Sequence, residues 1–135
     1  MDALTRGVKD VKVRMSAPLS ASRYIFYDPK GKNTMIRVLA LYPRGENNRF
    51  DQAYYLNKHL LLVTEKLSPL NLEADIGVPR GDTPSPYFAV THMIFDSKEK
   101  LSQKYAKYGK ELNEDKNRFT DIDLIFQISE ITKFK

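Results

Sequence analysis

The chain contains no cysteine, only two histidines, and no apolar run of membrane-spanning length. Without cysteine there can be no disulfide framework, no thiolate nucleophile and no Cys-based zinc site. The same absence fits a reducing cytoplasm, where the protein is expected. Aliphatic stretches such as Leu60 to Val63 fall far short of the ~20 residues of a membrane span, so no membrane partner is expected. Neither GxGxxG nor a Walker A phosphate loop occurs, and no organic cofactor is expected. No metal is expected either. Two histidines would need carboxylates on a matching face, and Asp75 and Glu73 are the near candidates.

What is present suits one compact domain: 135 residues, 41% of them hydrophobic. The net charge of +5 is unevenly spread. Residues 1–34 carry seven basic against three acidic side chains, whereas the remaining 101 carry 15 and 14. Lys98, Lys100, Lys104, Lys107 and Lys110 lie among Glu99 and Glu111 on one predicted helix, which is a solvated face. A phosphate-binding surface needs segregated positive charge, so no nucleic-acid partner is expected.

Residues 1–34 read as a basic N-terminal extension. SAPLSAS at 16–22 and DPKGKN at 28–33 are linker and turn chemistry. The segment lacks the apolar core of a secretory signal. Asp2 and Asp10 argue against a transit peptide, although arginine and serine are present. The extension is expected to be flexible or to add one edge strand through Arg23–Tyr27. The domain proper is expected over 35–135, with Met35 a plausible start.

After Thr34 the punctuation predicts six elements. MIRVLALY (35–42) is a strand ending at Pro43, and a helix follows from about Asp51 to Leu67, stopped by Ser68-Pro69. Leu70–Val78 is a weaker strand, PRGDTPSP a turn, and YFAVTHMIF (87–95) the strongest strand. Asp96 with Glu99 resembles a capping box opening a helix from Ser97 to about Leu112. Leu101, Tyr105, Tyr108 and Leu112 form its buried stripe. A polar segment, NEDKNRFT, precedes a last strand from about Asp123 to Lys133.

The order βαββαβ predicts an α+β, ferredoxin-like fold: a four-stranded antiparallel sheet with two helices on one face. Within the strands, Ile36, Val38 and Ala40 oppose Met35, Leu39 and Leu41. Phe88, Val90 and Ile94 oppose Ala89, Met93 and Phe95, and Leu124, Phe126 and Ile128 oppose Ile125 and Ile131. Both sheet faces are apolar, yet two helices cover one. The other face is expected to pack on a second copy, giving a homodimer.

In this order and spacing, MIRVLALYPRGENNRFDQAYYLNKHLLLV, YFAVTHMIFDS and RFTDIDLIFQISEI resemble the EthD family of dimeric α+β barrel proteins. The resemblance covers Met35 to Ile131 and none of the extension. It implies a ferredoxin-like protomer dimerising face to face through its sheets. It also implies a pocket for a small hydrophobic ligand between sheet and helices. Related barrels include isomerases, lyases and cofactor-independent oxygenases (an oxidoreductase type), and EthD itself is associated with ether degradation. The chain departs from the family where Leu61 and Leu124 replace usual prolines. Leu61 restores a backbone donor and predicts a straighter helix.

On a helical wheel, Asp51, Lys58 and Glu65 mark the solvent stripe of the first helix, and Ala53, Leu56, Leu60, Val63 and Leu67 the buried one. Tyr55 and His59 share a flank between them. There an imidazole is either a packed, hydrogen-bonded residue or a partly desolvated acid–base group facing a cavity. His92 shares the parity of Phe88, Val90 and Ile94, and if that face meets the helices it approaches His59. His59 and His92 are the catalytic candidates, and Tyr42, Tyr55 and Tyr87 the substrate-binding ones. Two functions follow: a cofactor-independent enzyme acting on a cyclic or aromatic compound, or a non-catalytic binding or accessory protein.

Overall fold

The structure, a computed structural model, describes residues 34–133. The extension expected before Met35, with its edge strand at Arg23–Tyr27, lies outside the described residues apart from Thr34. Four strands, β1 (Ile36–Pro43), β2 (Asn71–Ile76), β3 (Tyr87–Phe95) and β4 (Ile125–Glu130), form one antiparallel sheet in the order β2-β3-β1-β4. Two helical segments, α1 (spanning 52–67) and α2 (Lys98–Lys116), connect β1 to β2 and β3 to β4. This is the expected ferredoxin-like βαββαβ arrangement.

Strand parity decides which side chains meet the helices. Val38 pairs with Met93, Ala40 with Thr91 and Tyr42 with Ala89, and all six are buried. Two apolar clusters lie between this face and the helices. One is built on Ile36, Val38, Val63, Leu67, Met93 and Leu112. The other holds Tyr42, Tyr55, Leu60, Phe119 and Ile122. The opposite face carries Leu39, Leu41, Val90, His92 and Ile125, of which none is fully buried. At the β4 edge even the helix-side residues stay open, with Phe126 49% and Ile128 56% exposed.

The first helix is not the regular α-helix that the wheel assumes. It is α-helical over Gln52–Tyr54 and Leu60–Leu67, with a π-helical turn, Tyr55–His59, between them. The Leu60 amide bonds back to the Tyr55 carbonyl, five residues earlier. One extra residue per turn slips the phase by about 100°. Ala53 and Leu56, expected inside, are therefore exposed, while Tyr55 and His59, expected on a flank, are buried. Leu61, expected to straighten the helix, lies just beyond this π-helical turn. Both ends of the π turn are anchored inward, Tyr55 by a hydroxyl hydrogen bond with Thr91 and His59 by Asp115.

The helix ends follow local chemistry. Asp51 accepts from the Tyr54 amide at 3.1 Å and opens α1, and Ser68 closes it in the left-handed conformation (φ 48°) before Pro69. The cap of α2 is Ser97, which accepts from the Lys100 amide at 3.1 Å, not Asp96. Asp96 instead pairs with Lys100 at 3.3 Å, so the expected capping box with Glu99 is not formed. The helix also runs one turn past Leu112, to Lys116, into what reads as a polar connector.

The RFTDID segment then ties the two helices together. Thr120 donates to the Arg49 carbonyl at 2.6 Å, and the Asp51 amide bonds the Phe119 carbonyl at 2.8 Å. Asp121 accepts from the Arg49 amide and the Asn48 side chain, which holds its carboxyl below the usual carboxylate range. The start of α1 is thus fixed against the end of α2. Among the described residues, no helix is long and apolar enough to cross a membrane.

Candidate functional site

Between α1, α2 and the covered face of the sheet lies a cavity of about 240 Å³. Small side chains leave this space where their neighbours are large. Ala40 and Thr91 form its floor beside Tyr42 and Met93, and Gly109 sits opposite on α2. A methyl group at Gly109 would stand 3.0 Å from the Tyr105 ring, so glycine lets that ring lie against the helix. Leu60, Val63, Leu112 and Phe126 make the walls mostly apolar, and Asp123 and Leu124 line one edge. An engineered apolar cavity of about 150 Å³ binds benzene, so this one has room for a one- or two-ring compound.

His59 enters this cavity from the π turn of α1. Its Nδ1 lies 2.9 Å from Oδ2 of Asp115, on the last turn of α2. The other carboxylate oxygen, Oδ1, accepts the Tyr54 hydroxyl at 2.8 Å and has the Arg118 guanidinium at 3.7 Å. Among the described residues, Nε2 of His59 has no hydrogen-bond partner. The Phe119 ring covers the imidazole at 4.6 Å between centroids.

Burial lowers the His59 pKa below the ordinary histidine value of 6.5. The hydrogen bond and charge of Asp115 oppose that shift, and nearby Lys116 adds to it. The ring is therefore neutral near pH 7. A carboxylate can only accept, so Nδ1 carries the proton and Nε2 keeps its lone pair. Asp115 fixes both the tautomer and the ring orientation. A neutral imidazole with a free Nε2 beside an apolar cavity has the form of a general base.

Two of the sequence-predicted tyrosines belong to this region. Tyr42 lines the cavity, is 3% exposed, and its hydroxyl has no hydrogen-bond partner among the described residues. Burial raises its pKa above the ordinary phenol range. Tyr55 packs against Tyr42 and Phe119 behind the cavity, its pKa pushed up to about 12 by burial. Both remain neutral at physiological pH and are donors, not bases. Tyr87 stands apart, half-buried at the start of β3 opposite Pro43 and outside the cavity lining.

His92 is not brought to His59. Its face is the open one, because Thr91 and Met93 take the helix side of β3. There Nε2 pairs with Asp75 on β2 at 2.6 Å, in a shallow depression with Arg37, Leu39 and Glu73. The expected approach of the two histidines fails on strand parity. Among the described residues, no group of three or more His, Cys, Asp or Glu is placed to hold a metal ion.

Sequence reasoning misses Asp115, which holds His59, and Lys116, which lines the cavity. The signal is present. Continuing the stripe of Leu101, Tyr105, Tyr108 and Leu112 by three and four residues reaches both of them.

No family model and no curated protein matches the chain. Solved structures do. An EthD-like protein from Ralstonia eutropha is 30% identical at a TM-score of 0.70, the match covering 76% of this chain and 96% of that one. An ethyl tert-butyl ether d (EthD) family protein from Bacillus halodurans is 21% identical at a TM-score of 0.56, covering 73% and 99%. A protein of Arabidopsis thaliana, 15% identical at 0.55 and covering 74% and 98%, shares the fold.

Proposed function

The chain belongs to the EthD family, and from that premise we propose that it is a cofactor-independent acid–base enzyme acting on a small cyclic or aromatic compound. The observation that carries this reading is the His59–Asp115 pair, on a histidine that lines an apolar cavity and whose Nε2 has no hydrogen-bond partner among the described residues. Bound there, a carbon acid would present an activated C–H to Nε2, which takes the proton and returns it to the same or a neighbouring carbon. Asp115 stabilises the imidazolium formed in between. Tyr42 is a neutral donor within the same cavity, and Tyr55 holds the wall behind it.

The protein works as a homodimer in this reading. Leu39, Leu41, Val90 and Ile125 form an apolar centre on the uncovered sheet face, the kind of surface that a second copy covers across a two-fold axis. His92 then belongs to the interface, not to the chemistry. A cytoplasmic setting without a nucleic-acid partner fits the lack of cysteine and the charge balance of residues 35–135.

Deuterium wash-in of 2-tetralone, followed by proton NMR in D₂O, tests the assignment. The wild-type protein is expected to accelerate exchange of the α-protons, and His59→Gln to lose at least about 100-fold, or about 2.7 kcal/mol of barrier lowering. If 2-tetralone binds to both proteins and exchanges at the same rate in both, the catalytic role is wrong. The cavity is then that of a ligand-binding or accessory protein.

A further inference from the structure

Among the polar groups that line the cavity beside His59 and Tyr42, such as Thr91 and Asn113, one is a cation. Lys116 is 8% exposed and lines the cavity from the last turn of α2. An ammonium has three donors. One of them, at 2.6 Å, goes to the Ile122 carbonyl, and among the described residues no other acceptor bonds Nζ and no carboxylate lies within ion-pair distance. The neighbouring carboxylate is already engaged, since Asp115 holds His59, Tyr54 and Arg118. Asp123, the other acid at the cavity, is exposed at its edge.

A buried ammonium with one backbone acceptor and no counter-charge is costly to the free protein. An anionic oxygen entering the cavity would supply the missing acceptor through charge-assisted hydrogen bonds. The Tyr42 hydroxyl, also buried and without a partner among the described residues, is a second available donor in the same cavity. We propose that the ligand is a small aromatic or cyclic acid whose carboxylate is bound by Lys116, with the Tyr42 hydroxyl as a further donor. This rests on the reading of the cavity as a ligand site and adds the ligand's charge to it. It also gives Lys116 a role beyond holding the Ile122 turn.

The test compares two probes of matched shape at pH 8, where His59 is neutral: 2-naphthoate, and 2-acetylnaphthalene, which keeps a carbonyl but carries no charge. Their affinities are read by titration calorimetry or NMR. The wild-type protein is expected to bind the naphthoate at least tenfold more tightly. Lys116→Met keeps the buried stem and is expected to bring the two affinities within twofold while still binding the ketone. A purely structural lysine would change both alike. Equal wild-type affinities overturn the proposal without needing any variant to fold, and leave the cavity reading intact. Persistence of the preference in a folded Lys116→Met protein also overturns it. If neither probe binds, the cavity reading falls and this proposal with it.

Discussion

Each side of the sheet holds a histidine against an aspartate, one pair on the covering helices and one on the open strands, and the pairs differ in everything but composition. On the covered face, His59 meets Asp115 at 2.9 Å, with side chains 7% and 14% exposed. On the open face, His92 meets Asp75 at 2.6 Å, with side chains 31% and 68% exposed. The shorter contact is the wetter one. An exposed polar contact gains little because water competes for it and two mobile side chains must be held. The covered pair sits beside an apolar cavity, so its proton position is fixed by protein groups. Distance alone therefore does not identify the functional pair; burial and what the second imidazole nitrogen faces do.

The largest expected effect comes from placing a charge on either side of one strand. Val38 and Leu39 are neighbours on β1, with Val38 1% exposed among the helix-side core and Leu39 on the open face. Val38→Asp buries an unpaired carboxylate, which costs several kcal/mol, and is expected to yield unfolded protein by circular dichroism. Leu39→Asp should leave the protomer folded while raising the dissociation constant of the proposed homodimer at least about 100-fold, or about 2.8 kcal/mol. Analytical ultracentrifugation reads the second effect. A Leu39→Asp protein that remains dimeric at low micromolar concentration would place the interface elsewhere.

A smaller effect separates the two aspartates. Asp115→Asn retains an acceptor but loses the charge that favours the imidazolium, and is expected to slow 2-tetralone exchange about tenfold, or about 1.4 kcal/mol. Because Asp115 raises the His59 pKa against burial, the pH inflection of exchange should move lower in the variant. A simple loss of folded protein would not shift that inflection. Asp75→Asn, at the equivalent contact on the other face, is expected to change neither the rate nor the inflection.

Much of this contrast is legible in the sequence because strands have a period of two. The alternation of Ile36, Val38 and Ala40 against Leu39 and Leu41 sorts β1 into its two faces without any structure. Which face meets the helices is less legible on β3, where Phe88, Val90 and Ile94 are as apolar as Ala89, Met93 and Phe95. The sequence therefore leaves the face of His92 open, and the small residues Ala40 and Thr91 mark the covered side. The helix period misleads more sharply. A π turn leaves no compositional trace in YLNKH, yet it rotates Ala53 and Leu56 outward and Tyr55 and His59 inward. Asp115 and Lys116 escape notice because a polar run reads as a loop, although the inner stripe of α2 continues through both.

The smallest effect concerns stability against pH, and its sign follows from burial. His59 has a folded-state pKa below its unfolded value of 6.5. Between the two values the unfolded chain binds more protons than the native one, so acid favours unfolding. The stabilisation from a neutral His59 is complete above pH 6.5 and is lost as pH falls through the folded pKa. One proton limits the slope to about 1.4 kcal/mol per pH unit. Asp121, whose folded pKa is also depressed, acts in a separate window, losing its contribution below its ordinary value of 3.8. Urea unfolding between pH 7 and pH 5 therefore isolates the histidine. The wild-type protein should weaken across that range, and His59→Gln should remove this part of the decline. His92→Gln should keep it, because the decline belongs to the covered face. If His92→Gln flattens the curve and His59→Gln does not, the buried imidazole is not the one that acid must charge, and the contrast between the two faces is reversed.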